Sequence, residues 1–139
     1  MSGETELSNL IKGMKPQLQT GEYVFCTLPD NQIPKDVQPI GIFREAEGTT
    51  LIITKQEADR LSIPYSFVAA WITLTVHSSL EAVGLTAAIS GELTKAGISC
   101  NVIAAYYHDH LFVAQKDAPR TVEILRAMSL NDVVNTPEP

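Results

Sequence analysis

The chain predicts an α+β fold, an antiparallel sheet with helices covering one face, built from two imperfect copies of one unit. Two observations carry this. Strand-like runs rich in β-branched and aromatic residues alternate with short helical periodicities, and the order of these segments in the second half, β, α, β, β, α, is echoed in the first, where a loop replaces one helix. The length allows it: 139 residues can bury roughly two-thirds of the surface exposed by the unfolded chain, so no disulfide or metal is needed to hold a core.

Leu7, Leu10, Ile11 and Met14 recur at helical spacing, which predicts a short amphipathic helix stopping near Gly13 and Pro16. "EYVFCTL", from Glu22 to Leu28, reads as a strand, and "PDNQIPKDVQP" as the loop after it. "IGIFREAEGTTLIIT", from Ile40 to Thr54, is two strands about a turn in which Gly48 supplies a positive φ. Thr54 and Glu57 have capping-box spacing ahead of the short helix "KQEADRL". "SFVAAWITLTV", Ser66 to Val76, is the longest strand-like run, with Ile72, Leu74 and Val76 on one face and Trp71, Thr73 and Thr75 on the other.

Leu85, Ile89 and Leu93 then align on one face of a helix that Gly97 closes. "ISCNVIAAYY" and "HLFVAQK" are strands joined at His108-Asp109, and Asp117 can cap a last helix with Val122, Leu125 and Met128 on its apolar side. From residue 131 the tail "NDVVNTPEP" is expected to be flexible. The whole follows a ferredoxin-like split βαβ order, βαββαβ, in two units at 1–66 and 67–130. The second lacks a last strand of its own, so the units are expected to share or exchange strands, and bare edges invite pairing between copies.

Composition excludes some function classes. Ten basic residues against sixteen acidic give a net charge of −6, with the basic residues scattered singly, so no stripe exists for a nucleic-acid backbone. No apolar run reaches the ~18 residues of a membrane span, and "MSGETELSNL" has no signal-peptide pattern. Cys26 and Cys100 stand apart in apolar runs, as small core residues of a reducing, cytoplasmic compartment. No cofactor is expected.

"VHSSLEAVGLTAAISGELTKAGISCNVIAAYYHDHLFV", from Val76 to Val113, resembles an ACT domain, a small ligand-sensing module of regulators of amino-acid metabolism, and "GEYVFCTL" and "IGIFREAEGTTLIIT" do so more weakly. Together they are similar to small tandem-ACT proteins, a bacterial group of unknown function related to the regulatory part of aspartate kinases and to the CASTOR arginine sensors. The family loop tends to read Asp, any residue, Pro, Gly before the helix; Glu81, Val83 and Gly84 stand at those positions, so the glycine is kept, the acid is changed conservatively and the proline is absent. With no kinase domain, catalysis of that kind is excluded.

Where the strand gives way to the helix, backbone N–H groups from Ala82 through Val83 and Gly84 to Leu85 lack helical partners and suit a carboxylate. Glu81 suits an α-ammonium group, and the hydroxyls of Ser78 and Ser79, either side of which stand His77 and Leu80, suit orientation. The expected ligand is a free amino acid or similar small zwitterion. The resemblance implies completion of this loop by Asn101, Val102 and Ile103 of a neighbouring unit, in a homodimer or homotetramer. The competing reading is plain capping, worth ~0.5 to 2 kcal/mol, in a structural or protein-interaction module without ligand. On the ligand-binding reading, Gly84→Val is expected to weaken binding more than it changes the fold, because it obstructs the backbone approach.

A third class rests on "HDH". His77, His108 and His110 with Asp109 fall at one end of a split βαβ sheet, and imidazoles with a carboxylate suit a metal-dependent enzyme. The alternative is a polar hairpin tip. No nucleophile and base set accompanies the histidines, so no catalytic residue is assigned.

Overall fold

A computed structural model describes residues 6–76 and 82–135. The chain runs α1 (Leu7–Gly13), β1 (Pro16–Leu18), β2 (Tyr23–Leu28), β3 (Gly41–Arg44), β4 (Thr49–Thr54), α2 (Lys55–Arg60), β5 (Val68–Leu74), α3 (Leu85–Lys95), β6 (Cys100–Ala104), β7 (Asp109–Ala114) and α4 (Ala118–Asn135). Two compact units result: residues 20–70 form one, and residues up to Gln19 join those from Trp71 onward in the other.

In the unit of residues 20–70 the strand order is β3-β4-β2 followed by the start of β5, every pair antiparallel. Counted in chain order this is 4-1-3-2, the order of a ferredoxin-like sheet. The β3–β4 hairpin closes on reciprocal backbone bonds between Glu45 and Gly48. Gly48 is required there: its φ is +157°, and a Cβ would lie 2.8 Å from Thr27 Oγ1.

Alternation puts Val24, Cys26, Leu51 and Ile53 in a core with Ala58 of α2 and Ile63. Where a first helix would sit, the loop after β2 makes only a short 3-10 turn, Asp30–Gln32, and sends Val37 and Ile33 into that core. The expected capping box is half present. Thr54 Oγ1 accepts from Glu57 N–H at 3.1 Å, but the Glu57 carboxylate accepts instead from Gln38 N–H at 3.1 Å and so fixes the loop that replaces the helix.

The other unit also reads 4-1-3-2. Its strand order is β1-β5-β7-β6, with Pro16, Gln17 and Leu18 opposite Leu74, Thr73 and Ile72. The last strand missing from the second half is thus supplied by the N-terminal β1, a strand the sequence pattern did not reveal. β5 serves twice, its first residues closing the unit of residues 20–70 and its remainder opening this one. Exchange of strands is the way both units complete their sheets.

Leu10, Met14, Leu85, Ile89, Leu93 and Leu125 from the helices are buried, as are Ile72, Leu74, Leu111 and Val113 from the strands. Gly97, at φ +74°, lets α3 end with Ile98 N–H bonded back to Leu93 O. One expectation is corrected at the C-terminus: α4 runs to Asn135, so residues 131–135 are helical and not tail. No glycine or proline interrupts the chain between Arg120 and Thr136, so nothing stops the helix earlier. No described helix is long and apolar enough to cross a membrane.

Candidate functional site

α3 begins at a residue that cannot cap it. Gly84 is the N-cap, with φ +99° and ψ −18° and no side chain of its own to cap the first turn, and that turn contains no acidic residue. The first helical bond is Ala88 N–H to Gly84 O at 2.9 Å, which leaves the earlier N–H groups directed out of the helix with its positive dipole end. Val83 stands 81% exposed beside them, whereas Leu85 is buried, and the Leu7 side chain of α1 lies against Gly84. Of the residues assigned to this loop, Ala82, Val83, Gly84 and Leu85 form the turn. His77, Ser78, Ser79, Leu80 and Glu81 lie outside the described residues.

Asn101, Val102 and Ile103 sit on β6, the last strand of the order. They do not share a face. Val102 pairs with Leu111 on the helix-covered side, whereas Asn101 and Ile103 pair with Phe112 and His110 on the other. The Asn101 amide N–H reaches only the Phe112 carbonyl, at 3.4 Å.

The "HDH" triplet is taken apart by the sheet. The hairpin tip is Tyr106-Tyr107, because Ala104 pairs with Asp109 and Ala105 N–H bonds to His108 O at 3.0 Å; the expected junction at His108-Asp109 is therefore two residues late. His108 Nδ1 lies 3.2 Å from Val76 O. His110 turns to the open face, where the Trp71 indole N–H donates to its Nδ1 at 3.0 Å and Thr73 Oγ1 lies 3.1 Å from the same nitrogen. Asp109 goes the opposite way, with Leu111 and Val113, and is 8% exposed. Strand alternation puts Asp109 and His110 on opposite faces, so these two do not join in one ligand set. Among the described residues no group of three His, Cys, Asp or Glu side chains is placed to hold a metal ion.

Burial sets the electrostatics of the triplet. Desolvation pushes the Asp109 carboxyl up, with smaller opposing pulls from His110 and His108. Desolvation holds His110 below the ordinary histidine value, reinforced by His108 and opposed by Asp109. The Cys100 thiol is pushed up to about 11 by burial, so it is not a nucleophile at neutral pH.

A cleft of 520 Å³ lies elsewhere, in the unit of residues 20–70, lined by Gly21, Glu22, Lys55, Gln56 and Asp59 among others. Its polar groups already serve one another: Lys55 Nζ is 3.0 Å from Asp59, and Tyr65 O–H donates to the same carboxylate at 2.6 Å. The sequence pattern groups Asp109 with the histidines at a polar hairpin tip, and shows neither its burial with Leu111 and Val113 nor the Trp71–His110 pair. The signal was available, since period-two counting back from Val113 and Leu111 reaches Asp109.

Comparison with known proteins places this geometry. ACT-domain family models match residues 2–70 and residues 66–127. The chain is 44% identical to a Vibrio cholerae protein of unknown function described as a possible transport protein, over 88% of this chain and 95% of that one, with a TM-score of 0.79. An Agrobacterium tumefaciens protein is 20% identical over 84% of this chain and 89% of that one, with a TM-score of 0.63. The ligand-free regulatory subunit of aspartate kinase from Thermus thermophilus shares the fold at 9% identity, over 81% of this chain and 95% of that one, with a TM-score of 0.57. No curated protein matches the chain. Two family matches in tandem, on two units whose strands each run 4-1-3-2, establish that the chain belongs to the ACT-domain family.

Proposed function

We propose that this protein is a non-catalytic regulatory module that binds a free amino acid, or a similar small zwitterion, at the turn from Ala82 to Leu85, in the cytoplasm. The observation that carries this reading is the uncapped start of α3 at Gly84: an N-cap without a side chain, a left-handed backbone and a first turn without an acid leave donors for an external carboxylate. Membership of the ACT family supports it.

The site is completed in a homodimer or homotetramer. β6 lies at the edge of its sheet and carries no charge and no proline, the features that ordinarily protect an edge from pairing. A second copy docked there brings its own Asn101, Val102 and Ile103 beside the turn. Ser78, Ser79, Leu80 and Glu81 contribute the remaining polar groups in this reading.

A thermal-shift panel of the twenty amino acids tests it. A one-site ligand at one hundred times Kd stabilises by ~2.7 kcal/mol, which moves the midpoint by several degrees in a domain of this size. A flat panel with protein refolded from denaturant overturns the proposal. It would favour an interaction module without ligand, a reading to which the exposed Val83, Tyr106 and Tyr107 lend support.

A further inference from the structure

Asp109 is a carboxylate largely removed from water, a loss that the nearby His110 and His108 offset only in part. It is 8% exposed, and among the described residues no hydrogen bond or ion pair reaches it. Its two neighbouring histidines pull on it only through space, since the hydrogen bonds of their Nδ1 atoms are made elsewhere, His108 at the Val76 carbonyl and His110 at the Trp71 indole on the opposite face. A buried carboxylate is tolerated when it takes up a proton or when a cation meets it.

Its position favours the cation. Asp109 is the first residue of β7, paired with Ala104 at the end of β6. It shares with Leu111 and Val113 the side of the sheet on which α3 and α4 pack, since the partly buried Trp71 and His110 mark the other side. β5 and β6 run in parallel within the βαβ order, so the end of β5, the start of α3 and the start of β7 fall at one end of the unit. The first N–H groups of α3 and a carboxylate without a hydrogen-bond partner among the described residues therefore occupy the same end and the same side.

We propose that Asp109 is the counter-ion for an ammonium group of the ligand whose carboxylate meets the first turn of α3. The inference rests on the reading of Ala82–Leu85 as the carboxylate end of a zwitterion site and adds the residue that selects for the amine. Loss of solvation raises the proton affinity of Asp109, and an ammonium group supplies the charge that water no longer does.

The test titrates wild type and Asp109→Asn with the amino acid that gives the largest response in the panel, and with the carboxylic acid lacking its α-amine. L-Lysine, L-norleucine and 6-aminohexanoate form a second set, carrying both amines, the α-amine alone and the side-chain amine alone. Wild type is expected to prefer the amine-bearing probe. Asp109→Asn is expected to weaken that probe by roughly tenfold to a hundredfold, the loss of one charged hydrogen-bond partner, while leaving the amine-free acid unchanged. The second set tells which amine Asp109 meets. The melting midpoint of ligand-free Asp109→Asn at neutral pH is expected to equal or exceed that of wild type, because a costly buried charge is gone.

Equal binding by wild type and variant overturns this inference and leaves the amino-acid site standing, whereas a wild type that answers no amino acid overturns both. If Asp109→Asn does not fold, Asp109→Ala takes its place in the titration. Failure of both to fold makes Asp109 a structural group and ends the proposal.

Discussion

Two side chains and one missing side chain decide how this molecule answers pH and substitution. His110 Nδ1 accepts the Trp71 indole N–H at 3.0 Å, a bond that exists only while that nitrogen is unprotonated. The folded state holds His110 below the ordinary value of ~6.5. Its contribution is therefore full above the unfolded pKa and lost as pH falls from there through the folded value. Asp109 has the opposite sign: raised in the folded state, it favours folding below the unfolded value near 4 and weighs against folding as pH rises through the folded one. Denaturant unfolding of wild type and His110→Gln between pH 5 and 7 checks the first sign, and the variant is expected to show the flatter profile. At Gly84 an added Cβ faces both φ +99° and Leu7 Cδ2 at 3.2 Å, whereas at Gly97, φ +74°, it meets nothing within 4 Å. Gly84→Ala is expected to cost about 1–2 kcal/mol and Gly97→Ala about 1 kcal/mol in urea melts. This revises the expectation that Gly84→Val spares the fold, since a β-branched residue is strained at that φ.

The elements show which parts of the structure the sequence makes legible and which it hides. Helix α3 was plain from Leu85, Ile89 and Leu93 closed by Gly97, and the β3–β4 hairpin was plain from Gly48, because period and turn chemistry are local signals. β1 was hidden: Pro16, Gln17 and Leu18 carry no alternation, and the strand exists only because the edge of β5 accepts it. The site was partly legible for the same reason. The glycine at the head of α3 is a local feature, but the separation of Asp109 and His110 onto opposite faces depends on where the hairpin turns, and two tyrosines at its tip give no conventional turn signal. α1 and β1 belong to the unit that also holds the chain from Trp71 onward, with Leu10 fully buried and Lys12 O accepting from Ser129 Oγ at 2.9 Å. Leu10→Ala is therefore expected to cost about 2–5 kcal/mol. The loss should appear in the fluorescence of Trp71, the single tryptophan, although residue 10 is far from it in sequence. A variant that melts like wild type would show that the N-terminal segment does not complete that unit.

For the molecule as a whole, the repeated 4-1-3-2 order leaves the second strand of each unit at an edge, β3 in one and β6 in the other. The two edges are not equally open. β3 carries Gly41 and ends in Arg44, which lies 3.5 Å from Asp30, and a charged residue on an edge discourages pairing. β6, "CNVIA", has only uncharged side chains, with Ile103 38% exposed. A copy pairing through β6 satisfies unpaired backbone groups and buries Ile103 by a two-fold axis, the commonest symmetry of small assemblies. The chain bears a net charge of −6, so pairing opposes like charges and should tighten as salt screens them. In sedimentation velocity, wild type is expected to dimerise with concentration, more strongly at high salt. Ile103→Lys places a like charge against itself across the axis and is expected to leave monomers, while Phe43→Lys on β3, a residue already 71% exposed, is expected to dimerise as wild type does. The reverse pattern would move the interface to β3, in the unit that does not contain Gly84, and remove the basis for completion of the site by Asn101, Val102 and Ile103 of a second copy.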